Sequence, residues 1–117
     1  MNAIANLLKQ QIMQNDVILY MKGTPQFPMC GFSAKVAKIL LSMNTKFKYI
    51  NILENPEVRA ELPKVSNWPT FPQLYVRGEL IGGCDIVSEL FENNELKPLL
   101  EQAKALMETG AEFSSAM

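Results

Sequence analysis

Val17-Ile18-Leu19-Tyr20-Met21-Lys22-Gly23-Thr24-Pro25-Gln26-Phe27-Pro28-Met29-Cys30-Gly31-Phe32-Ser33 joins three local signals in immediate succession. Val17 to Met21 is a short apolar run of β-forming type and reads as a strand. Gly23, Pro25 and Pro28 mark the next segment as a loop. Beyond Ser33, Val36, Ile39, Leu40 and Met43 recur at helical spacing. Cys30 therefore stands at the N-terminal end of a helix, just past a strand. Free backbone N–H groups and the helix dipole favour an anion there. A cysteine so placed can have a pKa of about 3.5–7.5, and the thiolate is both nucleophile and metal ligand. Lys22 brings a positive charge close by in sequence. The spacing is that of a Cys-x-x-Cys pair with Ser33 in the second place. A serine cannot close the internal disulfide, so dithiol chemistry is closed to this pair. Ser33 also suits an ordinary early helix position.

The 117 residues fit one domain, and 48% apolar content is enough for a packed core. Eleven basic side chains against twelve acidic ones give a net charge of −1. That balance argues against a nucleic-acid surface. No apolar run approaches the ~20 residues that span a bilayer. The segment from Met1 to Asn15 lacks the basic start and apolar block of a signal peptide. Two cysteines are too few for a stapled secreted scaffold. A reducing, cytoplasmic setting without membrane attachment is the expectation. Histidine is absent from the sequence, which removes Ser–His and Cys–His pairs and His-based metal sites within one chain.

Around the opening segment the other elements fall into place. Ile4, Leu7, Leu8 and Ile12 predict an amphipathic first helix. Lys46 to Ile52 alternates as a strand. Asn55-Pro56-Glu57 reads as a helix start, with the helix stopping around Pro63 and Lys64 to Asn67 open to one further turn. Gln73 to Val76 and Leu80-Ile81 predict a hairpin turning at Arg77-Gly78-Glu79. Gly82-Gly83-Cys84-Asp85 leads into a helix with Ile86, Val87, Leu90 and Phe91. A last helix is expected to carry Leu96, Leu99, Leu100, Ala103 and Leu106. The order predicts a thioredoxin-like α/β fold, a four-stranded mixed sheet flanked by helices on both faces. Residues 1–108 would form the domain, and 109–117 a flexible, frayed C-terminal tail. Open α/β sheets put their sites at strand ends of the kind that precedes Cys30.

The chain resembles the monothiol glutaredoxins of the Cys-Gly-Phe-Ser type, in their short single-domain bacterial form. The resemblance rests on Met21-Lys22-Gly23, Cys30-Gly31-Phe32-Ser33, Trp68-Pro69-Thr70-Phe71-Pro72-Gln73 and Gly82-Gly83-Cys84-Asp85, in that order and spacing. It covers the chain to about Met107. It implies a [2Fe-2S] cluster held between two chains, with Cys30 of each as metal ligand and two glutathione thiolates completing the set. It implies glutathione contacts at Lys22, Arg59, Thr70, Phe71, Pro72, Gly83, Cys84 and Asp85. It implies a homodimer in the cluster-bound form, with BolA-like proteins and apo iron–sulfur recipient proteins as partners. Any glutathione-dependent oxidoreductase activity at a catalytic Cys30 is expected to be weak, and whether the chain is an enzyme stays open.

Each motif also has a plainer role. A lone cysteine is more often an inert core residue, but a Pro- and Gly-containing loop is a poor place to hide one. In this fold Pro72 is expected to be cis and to face the cysteine. The Phe71 backbone would then be free to pair with a peptide-like ligand, as a strand edge does. The alternative is a turn entering a strand. The glycine pair before Cys84 would admit a carboxylate to free N–H groups. Asp85 would take an amino group, cap the helix, or both. Lys22 and Arg59 taken singly read as solvated charges, and Trp68 as packing. The Cys84 sulfur is expected to be dispensable, with a disulfide to Cys30 as the rival reading.

Overall fold

The computed structural model describes residues 2–117. In chain order the elements are α1 (Ala3–Gln14), β1 (Val17–Met21), α2 (Gly31–Ser42), β2 (Lys46–Asn51), α3 (Pro56–Ser66), β3 (Gln73–Val76), β4 (Glu79–Gly82), α4 (Cys84–Glu92), α5 (Leu96–Gln102) and β5 (Glu112–Ser115). The sheet runs β4-β3-β1-β2-β5. β1 pairs parallel with β2 and antiparallel with β3, and β3 and β4 form the expected hairpin.

β1 is central and wholly buried. Its alternate side chains serve two cores, as strand periodicity requires. Ile18 and Tyr20 join Leu8, Ile12, Val58 and Leu62 from α1 and α3. Leu19 and Met21 join Val36, Leu40, Val87, Leu96 and Leu100 from α2, α4 and α5. Helices thus cover both faces, and the strand that leads to Lys22 is packed from either side.

The expected architecture needs three corrections. The sheet has five strands, not four, and the tail read as frayed supplies the fifth. β5 pairs parallel with β2, Phe47 opposite Phe113 and Tyr49 opposite Ser115. Phe113 stacks on Phe47 at 5.7 Å and meets Tyr49 edge-on at 6.2 Å. Lys48 Nζ donates to Ser114 Oγ at 2.7 Å. One aromatic among small polar residues gives no strand periodicity, yet it is enough to cover an otherwise open sheet edge.

The second correction concerns the stop at Pro63: α3 runs through it and takes the further turn open to Lys64–Asn67, ending at Ser66. The proline deletes one helical N–H, but Val65 beyond it packs on the core and holds the last turn. Third, α5 ends at Gln102, so Ala103 and Leu106 lie past it. Lys104 adopts φ 55°. Ala105 N–H then returns to Leu100 O at 2.9 Å and Lys104 N–H to Glu101 O at 2.9 Å. This pair of bonds is a Schellman closure. It uses lysine where glycine would have announced it.

Candidate functional site

A cleft of about 750 Å³ opens beside Cys30. It is lined by Lys22, Cys30, Arg59, Thr70, Phe71, Pro72, Gly83, Cys84 and Asp85, so every residue singled out in the sequence lines it. These come from the ends of β1 and α3, the α3–β3 loop and the start of α4, segments far apart in the chain.

Cys30 is the N-cap of α2, in extended conformation, and Ala34 N–H bonds its carbonyl at 2.8 Å. The sulfur faces the first N–H groups of the helix. The Ser33 backbone N–H does most to hold the thiol below its ordinary range. Partial burial opposes this, while the Phe32 N–H, the Lys22 charge and the Ser33 hydroxyl add to the lowering. Ser33 itself is fully buried. Its Oγ accepts the Lys22 backbone N–H at 3.0 Å, tying the end of β1 to α2. The residue in the place of a resolving thiol is thus a structural clasp.

The loop before Cys30 is a tight reversal. Met29 N–H reaches Lys22 O at 2.9 Å, and Thr24 and Phe27 exchange backbone hydrogen bonds at 3.2 and 3.1 Å. Asn51, at the end of β2, accepts from Gly23 N–H at 2.9 Å. Nothing in its sequence context beyond a polar residue ending a strand marked Asn51 for this. Phe27, Met29 and Phe32 stand 75%, 68% and 63% exposed around the cysteine, an apolar collar.

Opposite sequence segments complete the cleft. The Phe71–Pro72 peptide is cis, as expected. Gly83 caps α4 in extended conformation without a side-chain bond. A Cβ there would lie 3.2 Å from Pro72 O and 3.5 Å from Trp68 Nε1, so glycine lets the two walls meet. Trp68, read as packing, lines the cleft, and its buried Nε1 has no partner among the described residues. Asp85 lies in the first turn of α4 and makes no capping bond, which leaves its carboxylate for the cleft. The Cys84 sulfur sits 3.9 Å from Ser88 Oγ and packs on the core. Both cysteines are free thiols. Phe32 and Ile86 also line the cleft and were given no site role, because apolar side chains at helix starts carry no chemical signature.

The fold and site define a thioredoxin-like thiol protein with an open cleft beside Cys30, whose thiol is held below its ordinary range. The glutaredoxin family profile matches residues 17–81. Glutaredoxin 4 of Buchnera aphidicola subsp. Acyrthosiphon pisum is 53% identical over 107 residues, 92% of this chain and 99% of the relative. Glutaredoxin 4 of Escherichia coli K12 is 50% identical over 105 residues, 90% of this chain and 91% of the relative. The solution structure of reduced apo GrxS14 from poplar superposes with a TM-score of 0.74 at 47% identity, covering 87% of this chain and 94% of that one. The chain belongs to the glutaredoxin family, and its Cys-Gly-Phe-Ser site makes it a monothiol member.

Proposed function

We propose that the chain binds glutathione in this cleft and carries a [2Fe-2S] cluster bridged between two chains, in cluster storage, transfer and assembly. The observation that carries the reading is the convergence of Lys22, Arg59, Thr70, Phe71 and the Gly83–Asp85 helix start on one cleft beside Cys30. Cations, free backbone groups and an acid suit the carboxylates, peptide units and amino group of glutathione. A [2Fe-2S] cluster takes four ligands, usually thiolates. No group of three or more His, Cys, Asp or Glu able to hold a metal ion occurs among the described residues. Cys30 of a second chain and two small-thiol molecules make up the number, and the apolar collar around Cys30 offers the second chain a surface. The donor set fits a loosely held cargo. A reducing cytoplasm is the proposed setting, and BolA-like proteins and apo iron–sulfur proteins are the proposed partners. No helix of the described residues is long and apolar enough to cross a membrane.

The test is reconstitution without oxygen. Protein prepared with iron, sulfide and glutathione should be brown, and native mass spectrometry should show two chains, two glutathiones and one cluster. A cluster that assembles fully without any small thiol would overturn the reading. The lowered pKa of Cys30 suits the carrier and a second reading alike, glutathione-dependent reduction of glutathionylated proteins. There the Cys30 thiolate attacks the glutathione sulfur of the mixed disulfide and expels the protein thiolate. A second glutathione then attacks the Cys30 adduct, leaving glutathione disulfide and the free thiolate. Colourless protein with that turnover would select this reading over the carrier.

Lys22 is half-buried and Arg59 exposed. A charge-assisted contact at Lys22 is worth about 1.5 kcal/mol, and one at exposed Arg59 about 0.2–1 kcal/mol. Replacing both with alanine is expected to weaken glutathione binding roughly fifteenfold to sixtyfold, more at low salt than at high. Calorimetry showing the same affinity in the double variant would remove both residues from the site.

A further inference from the structure

We propose that Gln73 is a positioning residue, whose side-chain amide holds the Trp68–Thr70 wall of the cleft in the shape that receives glutathione. This inference rests on the glutathione reading above. Gln73 opens β3 opposite Tyr20 and is fully buried. Its Nε2 donates to Trp68 O at 2.9 Å and to Thr70 O at 3.2 Å. Its Oε1 accepts from the Tyr75 hydroxyl at 2.8 Å. Two carbonyls can only accept, so these partners fix which way the amide points.

The wall has little else to hold it. Among the described residues, no backbone-to-backbone hydrogen bond involves Trp68 through Pro72. Pro69 and Pro72 have no N–H to offer. On the N-terminal side the loop is tied at Ser66, whose Oγ accepts the Trp68 N–H at 3.2 Å. Ser66 Oγ also donates to Trp68 O at 3.4 Å, and Phe71 packs on the core; among the described residues only the Gln73 amide bonds the Thr70 carbonyl and links it to Trp68. The staple is anchored in turn: Tyr75 is buried and meets Tyr20 edge-on at 5.7 Å. Such an arrangement spares the Thr70 and Phe71 N–H groups from internal pairing while fixing their direction. A ligand that pairs with backbone needs both properties. A buried polar residue with every group satisfied rigidifies what it touches.

Gln73→Met, similar in length but without the amide, tests this in the intact chain. Glutathione affinity by calorimetry is expected to fall about tenfold, the worth of one or two neutral hydrogen bonds. Backbone relaxation of the Trp68, Thr70 and Phe71 amides should move from rigid order parameters of about 0.85 to below about 0.6, while Leu74 and Val76 stay rigid. Gln73→Asn keeps the amide but is one methylene shorter, and should behave alike if methionine disturbs folding. Tyr75→Phe keeps both loop hydrogen bonds, so it should cost less affinity than either. A purely structural role would lower thermal stability without changing loop order or affinity. Folded Gln73→Met and Gln73→Asn with wild-type affinity overturn the proposal, whether or not the loop loosens. If the unaltered protein does not bind glutathione, the glutathione reading fails instead. Loop relaxation then decides by itself whether Gln73 holds the wall.

Discussion

Cys30→Ser is expected to lose cluster binding and glutathione mixed-disulfide formation entirely, and Cys84→Ser to retain both. The two thiols differ in what surrounds the sulfur. At Cys30 the first N–H groups of α2, the Lys22 charge and the Ser33 hydroxyl all favour the thiolate. Serine in that place is not a thiolate and cannot ligate iron in the same way or form a disulfide. At Cys84 the sulfur turns back along its helix to Ser88 and packs on the core. On the proposed glutathione reading, Cys84 serves the cleft through its backbone N–H at the start of α4, which serine preserves. The pH dependence has a definite sign. A lowered pKa keeps the charged form as pH falls below the ~8.5 of a free thiol. Alkylation of Cys30 should therefore stay fast through that range and slow only on passing the site's own pKa. Stopped-flow alkylation of Cys84→Ser against pH measures this without interference. A folded Cys84→Ser that loses the cluster as completely as Cys30→Ser would make Cys84 a ligand or an essential thiol, and the assignment would be wrong.

Much of this was legible because chemistry and periodicity coincide at the same places. The apolar run of β1, the prolines of its loop and the helical spacing after Ser33 put Cys30 at a helix start, where it caps α2. The glycine pair before Cys84 likewise marks a close approach, and Gly83 does meet the Pro72 carbonyl. What escaped has no local signature. β5 depends on Phe113 finding Phe47 and Tyr49 across some 65 residues of chain, a tertiary contact that overrides a polar, small-residue composition. Gln73 looks in sequence like any polar residue entering a strand. Its role exists only once Trp68, Thr70 and Tyr75 surround its amide. Ser33 was legible as a missing thiol, while its clasp on Lys22 N–H was not. The last turn of α3 persists past Pro63 because packing there outweighs one lost hydrogen bond.

Gly23→Ala should destabilise the protein by about 3 kcal/mol or more, whereas Gly31→Ala, eight residues on, should stay within about 1 kcal/mol of wild type. Gly23 has φ 92°, outside the range that residues with a Cβ adopt readily. That conformation alone costs roughly 1–3 kcal/mol. The methyl group would also lie 2.5 Å from Phe27 O and 2.7 Å from Met29 N. Both are backbone atoms of the same reversal, so no side-chain rotation relieves the contact. Opening the loop would stretch the Met29 N–H bond to Lys22 O and the Thr24 N–H bond to Phe27 O, each worth about 1 kcal/mol. At Gly31 a Cβ meets nothing within 4 Å, and alanine is the better helix former there. The two substitutions add the same atoms on either side of Cys30, so their difference isolates the backbone of the loop. Chemical denaturation of both variants gives the comparison, and in a chain of this size 3 kcal/mol corresponds to a fall in Tm of about 12 °C. The loop that Gly23 closes also aims Met29 and Cys30, so the same variant should shift the alkylation pH profile of Cys30 back toward a free thiol. A Gly23→Ala protein with wild-type stability would mean that the reversal is not constrained at this residue.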